Sequence, residues 1–253
     1  MSARALADPV IWHDVECGAY TGDLELWEEL AANAGDPVLE LGCGTGRVAG
    51  HLAARGHAVT GVDRDPALIA ALEERAGAGR HPVEAVCGDV RELQLDGRFA
   101  LAIAPMQLAH LLENAPQRRR MLLSVRRHLE REGLAAFALL DHETLAVGEA
   151  ERGGMLPDVC ERDGWIFSSL PLSVHDRAEG VELRRLRQAV SPAGELTEEV
   201  DVTWLRALTA EQLEAEASSV GLRPAGRRDL LPTDAHAGSV VVLLRSHHGP
   251  GRE

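Results

Sequence analysis

The segment from Val38 to Val48 constrains the fold of this chain more than any other stretch. Apolar residues lead into three glycines in a G-x-G-x-G spacing, Gly42, Gly44 and Gly46, and helix-forming residues follow. Glycine has no Cβ, so it adopts positive φ readily and lets a ligand approach the main chain closely. A helix that begins there presents unpaired N–H groups and the positive end of its dipole. The segment therefore predicts a strand, a tight turn suited to a ligand carboxylate, and a helix.

Strands and helices alternate through the first 140 residues. Five short apolar stretches are predicted to be strands: 37–41, 58–62, 83–87, 99–104 and 134–140. Strands joined through single helices pair in parallel with right-handed crossovers. Near-continuous apolar strands are typical of a sheet that is covered on both faces. With two more strands expected near the C-terminus, we predict an α/β fold: a doubly wound, mostly parallel, seven-stranded Rossmann-like sheet.

The pattern changes after residue 141, where apolar and polar residues alternate. Turn-like residues separate the alternating segments 165–175, 181–190 and 195–208. This pattern is typical of an antiparallel meander with one solvated face. We therefore predict an N-terminal helical extension over residues 1–36 and one α/β domain over residues 37–253, with a lid-like antiparallel insertion at about residues 160–207.

The charge of the chain argues against nucleic acid as a partner. Acidic residues outnumber basic ones by 40 to 26, which gives a formal net charge of −14. Such a surface repels a phosphate backbone. No stretch stays apolar for the ~18 residues that a membrane span needs, and the start of the chain lacks the pattern of a signal peptide. We therefore expect no nucleic-acid partner, no membrane and a cytoplasmic location.

The rare residue types exclude several kinds of chemistry. The chain contains no lysine, so it has neither a Schiff-base lysine nor the lysine of a phosphate-binding P-loop. Its four cysteines, Cys17, Cys43, Cys87 and Cys160, are widely spaced and include no C-x-x-C pair. This spacing predicts neither a zinc site nor a disulfide framework, and we expect no metal.

Acidic residues accompany the predicted strands in a pattern suited to an adenosine ligand. Glu40 precedes the glycines, Asp63 ends the second strand and Asp89 follows the third. A carboxylate at the position of Asp63 can accept hydrogen bonds from two ribose hydroxyls, and one at Asp89 can accept from an adenine amino group. Arg47 stands where the G-x-G-x-x-G dinucleotide fingerprint requires glycine, which argues against a nicotinamide cofactor.

These motifs resemble those of the class I S-adenosylmethionine-dependent methyltransferases, and the resemblance covers roughly residues 36–140. The matching elements are an acid before G-x-G-x-G, an acid after the second strand, Gly-Asp after the third, and 104–108 after the fourth. The resemblance implies S-adenosylmethionine as cofactor, lying across the carboxyl ends of the strands. It implies a cofactor site that contains Tyr20, Glu40, Gly42, Cys43, Gly44, Gly46, Asp63, Arg64, Asp89, Val90, Ala104 and Pro105.

The resemblance also implies which residues contact each part of the cofactor. The glycine turn would line the methionine portion, and the main chain after the fourth strand would hold its amino group. Asp63 would hold the ribose. Asp89 and the main chain of Val90 would frame the adenine, with Arg64 over one face.

The acceptor is predicted to be a small molecule. Adenine-amino methyltransferases of this family carry an [N/D]-P-P-[Y/F] stretch where this chain has Ala104-Pro105-Met106-Gln107, and the Pro-Cys pair of cytosine methyltransferases is missing. We therefore expect methyl transfer to a nitrogen or oxygen atom of a small molecule, by a monomer or a homodimer. The alternatives are an RNA or protein methyltransferase of the same fold and a non-catalytic S-adenosylmethionine-binding module.

Two further residues are candidates for catalysis. The sequence before the glycine turn is similar to that of sugar-amine N-methyltransferases, which carry an aromatic-Asp segment and a tyrosine there. The counterparts are Trp12-His13-Asp14 and Tyr20. Tyr20 would either reach the cofactor carboxylate or be an ordinary packing residue. His110 lies where those enzymes have a histidine near the acceptor, and it would either act as a general base or have a structural role.

Overall fold

The computed structural model describes residues 6–78, 82–140, 156–177, 179–232 and 238–246. The strands of the main sheet are β1 (Val38–Leu41), β2 (Val59–Asp63), β3 (Val83–Cys87), β4 (Phe99–Ala104), β5 (Leu129–Leu140), β10 (Leu222–Leu230) and β11 (Ser239–Ser246). The strands of a second sheet are β6 (Asp158–Arg162), β7 (Trp165–Arg177), β8 (Gly180–Val190) and β9 (Leu196–Arg206).

The helices of the described ranges are α1 (Pro9–Cys17), α2 (Leu24–Ala34), α3 (Arg47–Ala54), α4 (Pro66–Ala78), α5 (Ala115–His128) and α6 (Ala210–Ser219). Short 3-10 helices at Val90–Glu92 and Leu108–Leu111 follow β3 and β4. Capping residues explain where several helices begin. The side chains of Asp8, Asn114 and Thr209 accept hydrogen bonds from the first turns of α1, α5 and α6. These bonds satisfy main-chain donors that have no partner within the helix.

The main sheet confirms the predicted doubly wound, mostly parallel arrangement. Its strand order is β10-β11-β5-β4-β1-β2-β3. The strands β1 to β5 run parallel, whereas β11 is antiparallel to both β5 and β10. The chain moves from β1 outward to β3 and then returns to β4 on the other side of β1. This change of direction creates a topological switch point, and ligands of open α/β sheets bind there, outside the carboxyl ends of the strands.

Helices cover both faces of the main sheet, as near-continuous apolar strands require. On one face, Leu122 of α5 belongs to the same buried cluster as Phe137 of β5. On the other face, Trp27 of α2 and Leu72 of α4 belong to the same buried cluster as Ile103 of β4. The two clusters hold the strand ends of the switch point in place. No helix in the described ranges is long and apolar enough to cross a membrane.

The second sheet confirms the predicted antiparallel meander and has the strand order β6-β7-β8-β9. Its first strand, β6, was not predicted, because its five residues carry too little apolar alternation. We name the face that bears Phe167 and Ala189 the inner face, and the face that bears Leu186 and Val200 the outer face. The helix α1 packs on the inner face, where the Trp12 ring meets the Phe167 ring edge-on at 5.9 Å.

Candidate cofactor-binding site

Three glycines with positive φ build the turn after β1. Gly42, Gly44 and Gly46 have φ values of 66°, 54° and 87°, a region that other residues adopt at a cost of about 1–2 kcal/mol. A Cβ on Gly42 would lie 3.2 Å from the side chain of Leu108, and one on Gly46 would lie 2.3 Å from that of Leu72. The last glycine therefore serves the close packing of α3 against α4, whereas Gly42 faces the segment after β4.

Asp63 connects the end of β2 to the glycine turn. Its Oδ2 accepts a hydrogen bond from the main-chain N–H of Gly44 at 3.0 Å, and its Oδ1 accepts one from that of Asp65 at 3.0 Å. The residue is only partly buried, and each carboxylate oxygen has a second lone pair. The structure thus places this carboxylate beside the turn with capacity to accept hydrogen bonds from ligand hydroxyls.

Glu40 lies beside the turn and is only 3% exposed. Burial raises the pKa of its carboxyl group to about 8, although the nearby Arg47 and a hydrogen bond from the main chain of Ala49 act in the opposite direction. Its Oε2 atom has no hydrogen-bond partner among the described residues. A buried polar atom without a partner is costly. This position is therefore suited to a ligand that brings a polar group.

The ends of four neighbouring strands place other predicted residues in a row. Ala104 ends β4, the glycine turn follows β1, Asp63 ends β2 and Asp89 follows β3, and these strands are adjacent in the order β4-β1-β2-β3. With strands about 4.8 Å apart, the row spans roughly 14 Å. Pro105 and Val90 are buried next to the row. An extended ligand with an amino-acid part and a nucleoside part suits this length and this order of groups.

Three residues of the predicted site direct their side chains elsewhere or to the surface. The guanidinium of Arg91 holds the Asp89 carboxylate at 2.9 and 3.0 Å and lowers the pKa of that carboxyl group. The side chain of Cys43 is buried against Gly61, and burial raises the pKa of its thiol. Its main chain, not its thiol, therefore borders the turn. Arg64 is exposed just beyond β2.

The helix α1 docks directly on the glycine turn through His13 and Asp14. The His13 ring lies so close to Gly44 that a Cβ there would be 2.0 Å from Nε2. Asp14 accepts a hydrogen bond from Thr45 Oγ1 at 2.8 Å and is held by the guanidinium of Arg75. Burial alone would raise the pKa of Asp14, but the hydrogen bonds from Arg75 and Thr45 keep it below its usual value.

The directions of these hydrogen bonds show which nitrogen of His13 carries a proton. An ionised Asp14 only accepts, so the Thr45 hydroxyl uses its single proton there and accepts in turn from Nδ1–H of His13 at 3.1 Å. Burial lowers the pKa of His13, which favours the neutral ring. Its Nε2 then carries a lone pair beside the turn. Thr45 and Arg75 were not predicted as partners, since their side chains meet α1 only after the chain has folded.

Tyr20 is half-buried beside Arg47, whose guanidinium carbon lies 5.2 Å from the centre of the tyrosine ring. Its main-chain oxygen accepts a hydrogen bond from Arg47 at 2.8 Å, and its ring packs beside Gly22. Burial raises the pKa of the tyrosine hydroxyl. These contacts fit the packing alternative, and a role for Tyr20 at the cofactor carboxylate or in catalysis stays a prediction.

His110 lies in the 3-10 helix after β4 and is fully buried. Its Nδ1 donates to the main-chain oxygen of Arg206 at 2.7 Å, and its Nε2 accepts from the main-chain N–H of Leu140 at 3.0 Å. Because a carbonyl oxygen only accepts and an N–H only donates, the ring is neutral and both nitrogens are engaged. A general base needs a nitrogen that is free to take a proton. The geometry therefore favours the structural alternative for His110.

Comparison with known proteins identifies a methyltransferase domain in this chain. Residues 38–133 match the family model described as a methyltransferase domain. A ubiquinone biosynthesis O-methyltransferase of Coxiella burnetii is 26% identical over 171 residues, which cover 68% of this chain and 68% of that protein.

Two solved structures share the fold. The CcbJ methyltransferase from Streptomyces caelestis has a TM-score of 0.66 and 24% identity, and the match covers 90% of this chain and 97% of that one. The sugar N-methyltransferase KedS8 from a Streptoalloteichus species has a TM-score of 0.74 and 18% identity, with coverage of 94% and 92%.

The residues at the sheet edge fit S-adenosylmethionine. The unpartnered Oε2 of Glu40, beside the glycine turn, can receive a polar group of the amino-acid part. Asp63 has capacity to accept further hydrogen bonds along the row, as a ribose requires, whereas Arg91 holds the Asp89 carboxylate and its role at the adenine stays a prediction. The strand topology, the row of groups and the match of residues 38–133 to a methyltransferase domain agree, and together they support a class I S-adenosylmethionine-dependent methyltransferase.

Proposed function

We propose that the protein transfers a methyl group from S-adenosylmethionine to a nitrogen or oxygen atom of a small molecule. The observation that carries this proposal is the position of the four-stranded sheet. Its inner face packs on α1 through Phe167, while α1 packs on the glycine turn through His13. We take this sheet to be a lid, so that the acceptor enters a space bounded by the chain itself and suited to a small compound.

Two sets of contacts hold the lid in position. Glu16 of α1 accepts hydrogen bonds from Ser169 at 2.8 Å and from two nitrogens of Arg187, each at 2.8 Å. At the other end, His110 binds the main-chain oxygen of Arg206. Charge-assisted bonds in partly buried surroundings are stronger than exposed ones, so the inner face keeps a defined distance from the cofactor turn.

Charge and relatives support a small acceptor over a polymer. The net charge of −14 disfavours RNA. The similar proteins described above include a sugar N-methyltransferase and an O-methyltransferase of ubiquinone biosynthesis. An RNA or protein methyltransferase of the same fold would need a surface that attracts its polymer beside the sheet edge.

Methyl transfer from S-adenosylmethionine requires few catalytic side chains. S-adenosylmethionine supplies a methyl group that its sulfonium charge has already activated. The chain has to hold the acceptor atom in line with that group and keep water away, and orientation alone is worth about 7–11 kcal/mol. An amine that arrives neutral needs no base, which suits a His110 whose two nitrogens are engaged.

Calorimetric titration of the purified protein with S-adenosylmethionine, S-adenosylhomocysteine and NAD tests the cofactor. We expect binding of the two adenosyl ligands in the micromolar range and no binding of NAD. Binding of NAD alone would overturn the proposal.

Methyl-labelled S-adenosylmethionine then tests the acceptor class. The protein is incubated with pools of amino sugars and hydroxylated aromatic compounds, and separately with RNA and with protein. We expect label only in the small-molecule pools. Label in RNA or protein would favour the polymer alternative, and cofactor binding without transfer to any pool would favour a non-catalytic binding module.

A further inference from the structure

His13 has one ring nitrogen bound within the chain and one directed at the cofactor turn. Its Nδ1–H donates to Thr45 Oγ1 at 3.1 Å, and Thr45 is its hydrogen-bond partner among the residues that the structure describes. A Cβ on Gly44 would lie 2.0 Å from Nε2, so the Cα of Gly44 is at most one carbon–carbon bond of about 1.5 Å further away. A ligand that lies on the turn therefore borders Nε2.

Three side chains fix the orientation of this ring. Arg75 donates to both carboxylate oxygens of Asp14 and to the main-chain oxygen of Thr45. Asp14 in turn accepts the proton of the Thr45 hydroxyl at 2.8 Å. This series of bonds selects the tautomer with its proton on Nδ1, as the carboxylate does for the histidine of a Ser-His-Asp triad. The lone pair of Nε2 is thus directed at the ligand side of the ring.

His13 lies on the helix that separates the glycine turn from the four-stranded sheet. Its neighbour Trp12 packs on Phe167 of the inner face, whereas His13 faces Gly44. The ring is only partly buried. A cofactor on the turn and an acceptor under the proposed lid would therefore both reach this ring.

We propose that His13 is the catalytic base that deprotonates an amine acceptor, an inference that rests on the proposed methyl transfer. An amino group with an ordinary pKa of about 8 or above is mostly protonated near neutrality and has no lone pair for attack. The ammonium group gives one proton to Nε2, and its nitrogen then attacks the methyl carbon. The carbon–sulfur bond breaks, its electron pair stays on sulfur, and S-adenosylhomocysteine leaves. The imidazolium releases its proton to water.

The charges around the ring suit both of its protonation states. Burial lowers the pKa of His13, so the ring starts neutral. The carboxylates of Asp14 and Asp63 stabilise the imidazolium once it forms, whereas Arg47 and Arg75 act in the opposite direction. The sulfonium charge of the cofactor lowers the pKa of an amine that is bound beside it, since like charges disfavour the charged form. Proton transfer from such an amine to the ring is thereby facilitated.

Other titratable side chains near the turn are poorer bases. Both ring nitrogens of His110 are engaged by main-chain groups, and burial raises the pKa of the Tyr20 hydroxyl, which therefore keeps its proton. Both carboxylate oxygens of Asp63 accept main-chain hydrogen bonds. Among these side chains, His13 combines a neutral ring with a lone pair directed at the ligand.

Nitrogen NMR of protein labelled in its histidine rings tests the tautomer without any acceptor. At about pH 7.5 we expect the His13 signal, assigned by its loss in His13→Asn, to show a proton on Nδ1 and a lone pair on Nε2. Thr45→Val should disturb this preference, whereas Thr45→Ser keeps the hydroxyl and should preserve it. A His13 ring that carries its proton on Nε2, or that is charged at this pH, would overturn the proposal.

The rate of label transfer from methyl-labelled S-adenosylmethionine to a pool of amino sugars tests the proton transfer. At about pH 7, His13→Asn should lower the initial rate roughly a hundredfold or more, because its amide still donates to Thr45 but takes up no proton. The loss should shrink at about pH 9.5, where more of the amine is neutral and needs no base. A merely structural role predicts a loss that does not change with pH.

Calorimetry with S-adenosylhomocysteine should show that His13→Asn keeps its cofactor affinity within about threefold. The matched control is His57→Asn, because His57 precedes β2 at the opposite edge of the sheet and bonds to Asp36. That variant should keep the wild-type rate. His13→Ala leaves space beside Gly44, and added imidazole should restore part of its rate in proportion to the neutral fraction of the imidazole.

The outcomes separate this inference from the proposed function. A wild type that labels amino sugars together with a His13→Asn variant of equal rate at about pH 7 would overturn the role of His13 and leave methyl transfer intact. Label that is confined to hydroxylated aromatic compounds would overturn the assignment of an amine acceptor and again leave methyl transfer intact. A wild type that binds the cofactor and labels no pool would overturn both.

Discussion

Asp23 and Arg47 form a two-pronged ion pair that is almost completely shielded from solvent. The distances are 2.6 Å from Nη1 to Oδ1 and 2.7 Å from Nη2 to Oδ2, and the two side chains are 0% and 9% exposed. The indole N–H of Trp27 donates to the same carboxylate at 2.8 Å. The pair ties the start of α2 to the first residue of α3. Arg47, which breaks the dinucleotide fingerprint, thus clamps the N-terminal segment to the glycine turn.

Asp23→Ala is expected to lower the free energy of unfolding by about 3–5 kcal/mol, because it leaves Arg47 buried without its counter-ion. Urea unfolding followed by circular dichroism measures this change. The matched control is Glu29→Ala, also on α2, which breaks an ion pair with Arg228 whose partners are each 44% exposed. That variant should change stability little. Equal losses in both variants would show that burial of the Asp23 pair does not set its strength.

Gly44→Ala is expected to weaken cofactor binding roughly tenfold or more, since the new Cβ would meet His13 at 2.0 Å and would sit at a positive φ. If the collision with His13 is the main cause, Gly44→Ala should weaken binding less in the His13→Ala background than in the wild type. Calorimetry with S-adenosylhomocysteine measures the cycle. Gly50→Ala is the control, because a Cβ there meets nothing within 4 Å. If the losses of binding free energy in the two single variants simply add in the double variant, the contact with His13 is not the cause.

Asp63→Ala should reduce cofactor affinity roughly a hundredfold, because it removes the carboxylate proposed to bind the ribose and the acceptor for the N–H of Gly44. The comparison is Asp65→Ala, two residues along, whose carboxylate accepts instead from Ala67 at the start of α4. That variant should lose helix stability and keep its affinity. Unchanged calorimetric affinity in Asp63→Ala would refute the assignment of the ribose position.

The sheet and the row of groups at its edge were predictable because their signals are local. A short apolar strand, a glycine spacing and an acid at a strand end each lie within a few residues. The contacts of α1 and Arg47 were not predictable in this way. The partners His13 and Thr45 are 32 residues apart, and Asp23 and Arg47 are 24 apart. The periodicity of hydrophobic residues predicts local elements and does not predict such distant side-chain pairs.

His110 illustrates the same limit for chemistry. Its residue type and position suggested a base, but its hydrogen-bond partners come from 30 and 96 residues further along the chain. Cys43 and Gly46 show a related effect, because both belong to the glycine motif while the space beside them serves core packing. Sequence spacing thus located the turn but did not distinguish ligand contacts from packing.

The buried carboxyl group of Glu40 makes the folded protein less stable as the pH rises. Folding raises its pKa from 4.5 to about 8. Between these values the folded protein keeps a proton that the unfolded chain has released. The free energy of unfolding therefore falls with increasing pH by up to about 1.4 kcal/mol per pH unit. The contribution is fully present below pH 4.5 and is lost as the pH passes about 8.

Glu40→Gln should remove this dependence, because the amide has a similar shape and does not ionise. Urea unfolding at about pH 5.5 and about pH 8.5 compares the variant with the wild type, and the Gln variant should gain relative stability at the higher pH. Glu84→Gln, on an exposed residue of β3, is the control and should keep the wild-type slope. Parallel pH profiles of Glu40→Gln and the wild type would contradict the shifted pKa.

His110→Ala should lower the free energy of unfolding by about 2–4 kcal/mol, because the N–H of Leu140 and the carbonyl of Arg206 lose their partner. We also expect turnover to fall more than cofactor affinity, since the proposed lid loses one of its two sets of contacts. His128 is the matched control: its Nδ1 donates to Ser124 and its Nε2 accepts from Leu95, again through the main chain. His128→Ala should cost stability without a comparable loss of turnover.

The pH dependence of turnover decides between positioning and base catalysis for His110. A neutral ring with both nitrogens engaged predicts that His110→Gln retains part of the activity and the pH profile of the wild type, because the amide can still donate to Arg206. A general base predicts that an ionisation near neutrality controls the wild-type rate and disappears in the variant. The loss of such an ionisation would mean that His110 leaves its main-chain partners when substrates bind, so that the proposed lid loses its contact with His110.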